Sequence, residues 1–173
     1  MPAETSLAMC SFMMGGVLEQ CPSLRVMFAH GGGSFPGTLA RIEHGWAARP
    51  DLCQAVASIS PQQHCDQRHV WVDSLVHDAH ALESIVRTFG AERVALGTDY
   101  PFPLGEFRAD ETAKVESGDS KYKIYDAGAL VFSMAATKGE GWAEGGDLRT
   151  QLLSGAALSW LGTRATKDLK RPS

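Results

Sequence analysis

The stretch that most restricts the fold is Val94-Ala95-Leu96-Gly97-Thr98-Asp99-Tyr100-Pro101-Phe102-Pro103. An apolar run of strand length ends in a small turn residue, a hydroxyl and a carboxylate. Two prolines then stop the strand, because proline has no N–H to give to a ladder. A rigid strand therefore delivers an acid at its carboxyl end. Residues 24–30 repeat the form: Leu24-Arg25-Val26-Met27-Phe28 leads to His30, followed by Gly31-Gly32-Gly33. One strand presents His30 and another presents Asp99.

The intervening sequence places these strands in one parallel sheet. Residues 3–20 carry Leu7, Cys10, Met14, Val17 and Leu18 at helical spacing, with Pro2 suited to a first turn and Met9, Met13 and Met14 as core filling. Ser34 is placed to cap a helix over 35–48 whose apolar face is Phe35, Leu39, Ile42 and Trp46, and whose polar side carries Arg41, Glu43 and His44. Residues 51–68 read as loop with at most a short helix. A strand over 69–73 ends in Asp73, a helix runs from Asp78 to about Phe89 with Gly90 closing it, and a strand follows over 93–96. Helix and strand alternate strictly, which argues an α/β fold with right-handed crossovers. In such sheets ligands bind at the carboxyl ends of the strands, where His30, Asp73 and Asp99 all fall. Asp73 reads as structural, and His44, His77 and His80 as surface or hydrogen-bonding residues.

Composition narrows the function. With 173 residues the chain can bury a core as one domain, and at net charge −4 it collects no run of Lys and Arg, so nucleic acid is not an expected partner. The apolar stretch 7–18 is too short for a membrane span, and Glu4 precedes it where a signal peptide wants positive charge. The expected setting is the cytoplasm. The four cysteines form neither a CxxC pair nor a zinc-finger spacing, and read as free thiols in a reducing compartment.

Four segments carry a resemblance: FAHGGGSFPGTLARIEHGW (28–46), RPDLC (49–53), VDSLVHD (72–78) and LGTDYPFPLGE (96–106). Together they resemble the aminocarboxymuconate-semialdehyde decarboxylases of the amidohydrolase superfamily, which is built on (β/α)8 barrels. The likeness runs to about Glu106 and resumes weakly at GAALSWLG (155–162). It implies a carboxy-lyase that removes CO2 from aminocarboxymuconate semialdehyde in the tryptophan–kynurenine pathway, diverting material from quinolinate and NAD. It implies Asp99 as a metal-binding aspartate, His30 as the catalytic histidine, and Arg41 as an arginine that binds a substrate carboxylate across a dimer interface. The implied ion is Zn2+, which lowers the pKa of its bound water to about 7. In the family the resulting hydroxide adds to the unsaturated substrate, and the adduct expels CO2. Histidine suits the proton transfer and a guanidinium suits the carboxylate.

The family's remaining metal ligands are a His-x-His pair on the first barrel strand and a histidine on the fifth. This sequence has no His-x-His. Its matching part starts at what would be the helix after strand five, so it reads as the C-terminal portion, about strands six to eight, of such a barrel. On that reading 1–106 is partial barrel, 107–147 an atypical insert in which 122–135 is either a strand or nothing regular, 148–162 a C-terminal helix, and 163–173 a disordered tail. Ala156 stands where the family usually has asparagine. A hydrolase of the same superfamily and a non-catalytic truncated form are the alternatives.

Overall fold

The computed structural model describes residues 1–67, 70–102, 104–109, 122–138 and 148–162. The first helix is broken in two, α1 (Pro2–Met14) and α2 (Val17–Gln20). Gly15-Gly16 makes the break, and Gly16 takes φ +69°, which glycine reaches without a steric penalty. Strand β1 (Val26–Phe28) follows, then a tight turn through His30, then α3 (Phe35–Ala48). Ser34 does not cap α3 with its side chain; its Oγ instead lies 2.8 Å from Ser6 Oγ, tying α3 to α1.

Where residues 51–68 were expected to be loop with at most a short helix, there are two short helices, α4 (Pro50–Cys53) and α5 (Pro61–Asp66). The start of α5 has a reciprocal cap that the sequence contained: Gln63 N–H donates to Ser60 Oγ at 3.3 Å, and Ser60 N–H donates to Gln63 Oε1 at 3.0 Å. The loop before it is clamped by Glu19, whose carboxylate accepts from Ser58 N–H at 2.8 Å, Ser58 Oγ at 2.6 Å and Ile59 N–H at 3.0 Å.

Strand β2 (Val70–Asp73) leads to α6 (Ala79–Phe89), and β3 (Val94–Ala95) follows. Asp78 caps α6 by accepting from Ala81 N–H at 2.8 Å. The three strands form a parallel sheet in the order β1-β2-β3, with Met27 opposite Trp71 and Asp73 opposite Ala95. His69, expected to open β2, lies outside the described residues.

Alternation along β2 divides the sheet. Val70 and Val72, both 0% exposed, join a core with Met9, Met13, Phe35, Leu39, Leu82, Ile85 and Phe89. Phe35 and Phe89 stack with ring centroids 6.4 Å apart, locking α3 to α6. Asp73 belongs to the alternate set of β2 positions. Beneath α5, the buried Arg93 guanidinium donates to the Cys65 carbonyl. Burial also pushes the Cys65 thiol up to about 12, so it stays protonated at neutral pH. All four cysteines are free, with Cys65 buried and Cys21 exposed.

The segment 107–147, for which the sequence left a strand over 122–135 or nothing regular, contains regular elements among its described residues. Strands β4 (Phe107–Ala109) and β5 (Tyr122–Tyr125) pair antiparallel, and α7 (Ala129–Lys138) buries Val131 and Met134 in the core cluster. The C-terminal helix is present but not uniform: α8 (Leu148–Thr150) and α9 (Ala156–Leu161) flank a π-helical stretch over Gln151–Gly155. The tail 163–173 lies outside the described residues. Among the described residues, no helix is long and apolar enough to cross a membrane.

Candidate functional site

The carboxyl ends of the three strands converge. After β1 the backbone enters the left-handed region at four consecutive residues: His30 (φ +58°), Gly31 (+61°), Gly32 (+79°) and Gly33 (+65°). Left-handed backbone costs an L-residue roughly 1–2 kcal/mol, so glycine holds three of these positions. Space also demands it, since a Cβ on Gly31 would lie 2.5 Å from Val76 Cγ1 and one on Gly33 would lie 2.3 Å from the Pro2 carbonyl oxygen. The turn is latched from β2, where Asp73 Oδ1 accepts from Gly31 N–H at 2.9 Å and from Leu75 N–H at 3.1 Å. Asp73 thus positions the loop that carries His30, a structural part as its sequence context suggested.

Asp99 also takes a left-handed backbone, φ +53°. Its carbonyl accepts from Phe102 N–H at 2.7 Å, which turns the chain back after β3. The side chains of His30 and Asp99 face one another with Nε2 to Oδ1 at 3.6 Å, 25% and 20% exposed. That separation is beyond hydrogen-bond range but close enough for both groups to reach one small bound species. They share a cleft of about 380 Å³ with Leu75, Val76, His77 and Leu104. Arg41, on the exposed side of α3, is not among the residues lining it.

One further residue lines this cleft, and a buried carboxyl lies two positions beyond its Leu104. His77 lines the cleft and, like His30 and Asp99, has a left-handed φ, +57°. The available signal was its place in a loop at the carboxyl end of a strand. Glu106 is 5% exposed; its Oε2 accepts from Gly128 N–H just before α7, while its Oε1 is buried with no hydrogen-bond partner. Burial raises the Glu106 pKa above the usual 4.5, opposed in part by the Gly128 N–H and by the charge of His77. A carboxyl raised in the folded state contributes most below its unfolded value, and that contribution is lost as pH rises through the folded value. Glu106→Gln will therefore lose less melting temperature than the parent between pH 4.5 and 7; equal losses in both proteins would refute this.

Among the described residues, no group of three or more His, Cys, Asp and Glu side chains is arranged to hold a metal ion. His30 and Asp99 are two donors, and a catalytic zinc site needs three protein ligands. The described residues do not fit a metal site unaided.

Comparison with known proteins sets this site in a family. A family model described as amidohydrolase matches residues 1–124. The chain is 52% identical over 135 residues to 2-amino-3-carboxymuconate-6-semialdehyde decarboxylase of Dictyostelium discoideum, covering 76% of this chain and 37% of that protein. The chain thus spans well under half the length of this curated relative. In structure it resembles the apo form of the IDCase of Metarhizium anisopliae, with TM-score 0.66 at 21% identity over 93% of this chain and 40% of that one. It also resembles a 5-carboxyvanillate decarboxylase of Novosphingobium aromaticivorans, complexed with manganese and 4-hydroxy-3-methoxy-5-nitrobenzoic acid, with TM-score 0.63 at 18% identity over 92% of this chain and 39% of that one. The fold is α/β, of the TIM-barrel type these proteins share, and the chain belongs to the amidohydrolase family.

Proposed function

We propose that this chain serves the metal-dependent decarboxylation of 2-amino-3-carboxymuconate 6-semialdehyde in the cytoplasm, and that it supplies about strands six to eight of the barrel. One observation carries the reading. A histidine and an aspartate meet 3.6 Å apart at the carboxyl ends of two parallel strands, in a chain 52% identical to that decarboxylase. The three-stranded parallel sheet, and its match to about two fifths of larger decarboxylases, support the assignment to part of a barrel.

The residues divide the work. Decarboxylation breaks a carbon–carbon bond, leaves the electron pair on carbon, and requires a proton there. His30 at the cleft is the group suited to move it. Asp99 would supply one carboxylate to a divalent ion, zinc or manganese, whose other ligands are not among the described residues. When bound, that ion supplies electrophilic stabilisation and an activated water. To Arg41, exposed on α3 and outside the lining of the cleft, we assign the holding of a substrate carboxylate in a second subunit of a homodimer.

The donor set favours a second statement, that the chain by itself is non-catalytic. Both are tested by complementation. The 173-residue chain, alone with zinc or manganese, will not consume the semialdehyde. Co-expressed with the part of the Dictyostelium protein that it does not match, it will form a complex that does. The open edges of the sheet are templates for such pairing. A folded complex with no turnover would overturn the decarboxylase reading, and turnover by the chain alone would overturn the statement about its donors.

A further inference from the structure

The cleft is polar in few places. His30 and Asp99 face one another within it, and His77, whose side chain is exposed, adds a third polar group. The other described side chains of the lining are apolar, and no lysine or arginine is among them. Three of the apolar residues, Leu75, Val76 and Ala81, come from the loop after β2 and the first turn of α6.

Hydrogen bonds fix this wall in place. Leu75 N–H donates to Asp73 Oδ1 at 3.1 Å, Val76 N–H to the Ser74 carbonyl at 2.9 Å, and Ala81 N–H to Asp78 Oδ1 at 2.8 Å. Ser74, itself buried, accepts from Gly97 N–H at 3.3 Å. The wall also reaches the reacting end of the cleft. A Cβ on Gly31, the residue after His30, would lie 2.5 Å from Val76 Cγ1. The N–H groups of all three wall residues are thus taken, and their side chains offer no hydrogen bond. A substrate hydroxyl laid against those side chains gives up water without replacement, whereas a hydrocarbon segment gains by being buried there. A rigid wall selects more sharply than one that can move aside.

We propose that Leu75, Val76 and Ala81 are specificity-determining residues: they hold the hydrocarbon segment of a dicarboxylate whose reacting carbon lies at His30, and they exclude dicarboxylates that carry hydroxyls on that segment. The inference rests on the decarboxylase reading, whose substrate has an unsaturated carbon chain, and adds to it what the cleft rejects.

The test needs no turnover. Histidine-ring 15N–1H spectra of the full 173-residue chain follow His30 while three six-carbon dicarboxylates are titrated in. They are muconate, adipate and galactarate, the last being adipate with four hydroxyls. Adipate is expected to bind within tenfold of muconate, because the wall reads apolarity and not flatness. Galactarate is expected to bind at least 100-fold more weakly than adipate. Val76→Thr exchanges a methyl for a hydroxyl at nearly constant volume. Ala81→Ser adds a hydroxyl in the first turn of a helix, where serine is well tolerated. Each should weaken adipate and narrow its lead over galactarate to about tenfold. Galactarate binding as well as adipate, adipate binding as poorly as galactarate, or a lead unchanged in both variants would overturn this inference and leave the decarboxylase reading standing. If none of the three moves the His30 ring, the cleft takes no dicarboxylate, and both fail.

Discussion

Asp99→Asn, carried into the complemented complex, will cost about 10³-fold in kcat/KM and strip most of the bound metal, while the complex stays folded. The substitution keeps the shape of the side chain. Asparagine also tolerates the left-handed backbone that Asp99 adopts at φ +53°. The turn after β3 is made by the carbonyl of residue 99, not its side chain, so that turn survives. What is lost is the negative charge that one strand delivers to the cleft. A metal's stabilisation of developing charge is worth several kcal/mol, and each 1.36 kcal/mol is tenfold in rate, which gives the expected loss. His30→Asn is the control that separates roles. It also tolerates left-handed backbone, and it should lower the rate by about 10²–10⁴ as a lost proton donor does, with the metal retained. Metal content by atomic emission alongside steady-state kinetics reads both. If Asp99→Asn keeps full metal and a rate within tenfold, the aspartate is not a ligand.

How much of this was legible follows from which signals are local. The strands around Val26–Phe28, Val70–Asp73 and Val94–Ala95 were readable because short apolar runs were bounded by strong punctuation: Pro22, Gly31 and Pro101. The α6 boundaries were readable because Asp78 and Gly90 are cap residues with a direct mechanism. His30 and Asp99 lie 69 positions apart, and nothing in their spacing joins them. They were paired only because both follow parallel strands, whose carboxyl ends must fall together. Ser34 shows the limit of local rules. A serine before a helix is a fair cap, yet here the tertiary contact with Ser6 takes its hydroxyl. Tertiary context also hid Glu106, whose burial depends on a segment around Gly128 that resembles nothing recognisable in sequence. His77 was hidden for a different reason. Its distinguishing property is a backbone angle, and a histidine in a loop gives no sign of φ.

Gly97→Ala will cost this chain about 3 kcal/mol, roughly 10 °C in melting temperature, and will slow the complemented enzyme as well. The backbone of Gly97 is not left-handed, so the cost is one of space. A Cβ there would lie 2.6 Å from both Cβ and Cγ of Asp73 and 2.8 Å from its Oδ2. Asp73 is on a strand and cannot swing clear, and its Oδ1 holds the N–H groups of Gly31 and Leu75. Forcing that carboxylate aside adds overpacking, about 1–3 kcal/mol, to the cost of leaving two buried donors unpaired, about 1–3 kcal/mol each at most. The latch it releases is the one on the His30 turn. A displacement of about 1 Å at a reacting group can cost 10²-fold in rate, so kcat should fall about that far although Gly97 touches no substrate. The double variant Gly97→Ala with Asp73→Gly isolates the cause. With both the Cβ and the carboxylate of residue 73 gone, the new methyl has room, so adding Gly97→Ala to Asp73→Gly should cost less than 1 kcal/mol. If the alanine costs the same in both backgrounds, the close approach to Asp73 is not what requires a glycine after β3.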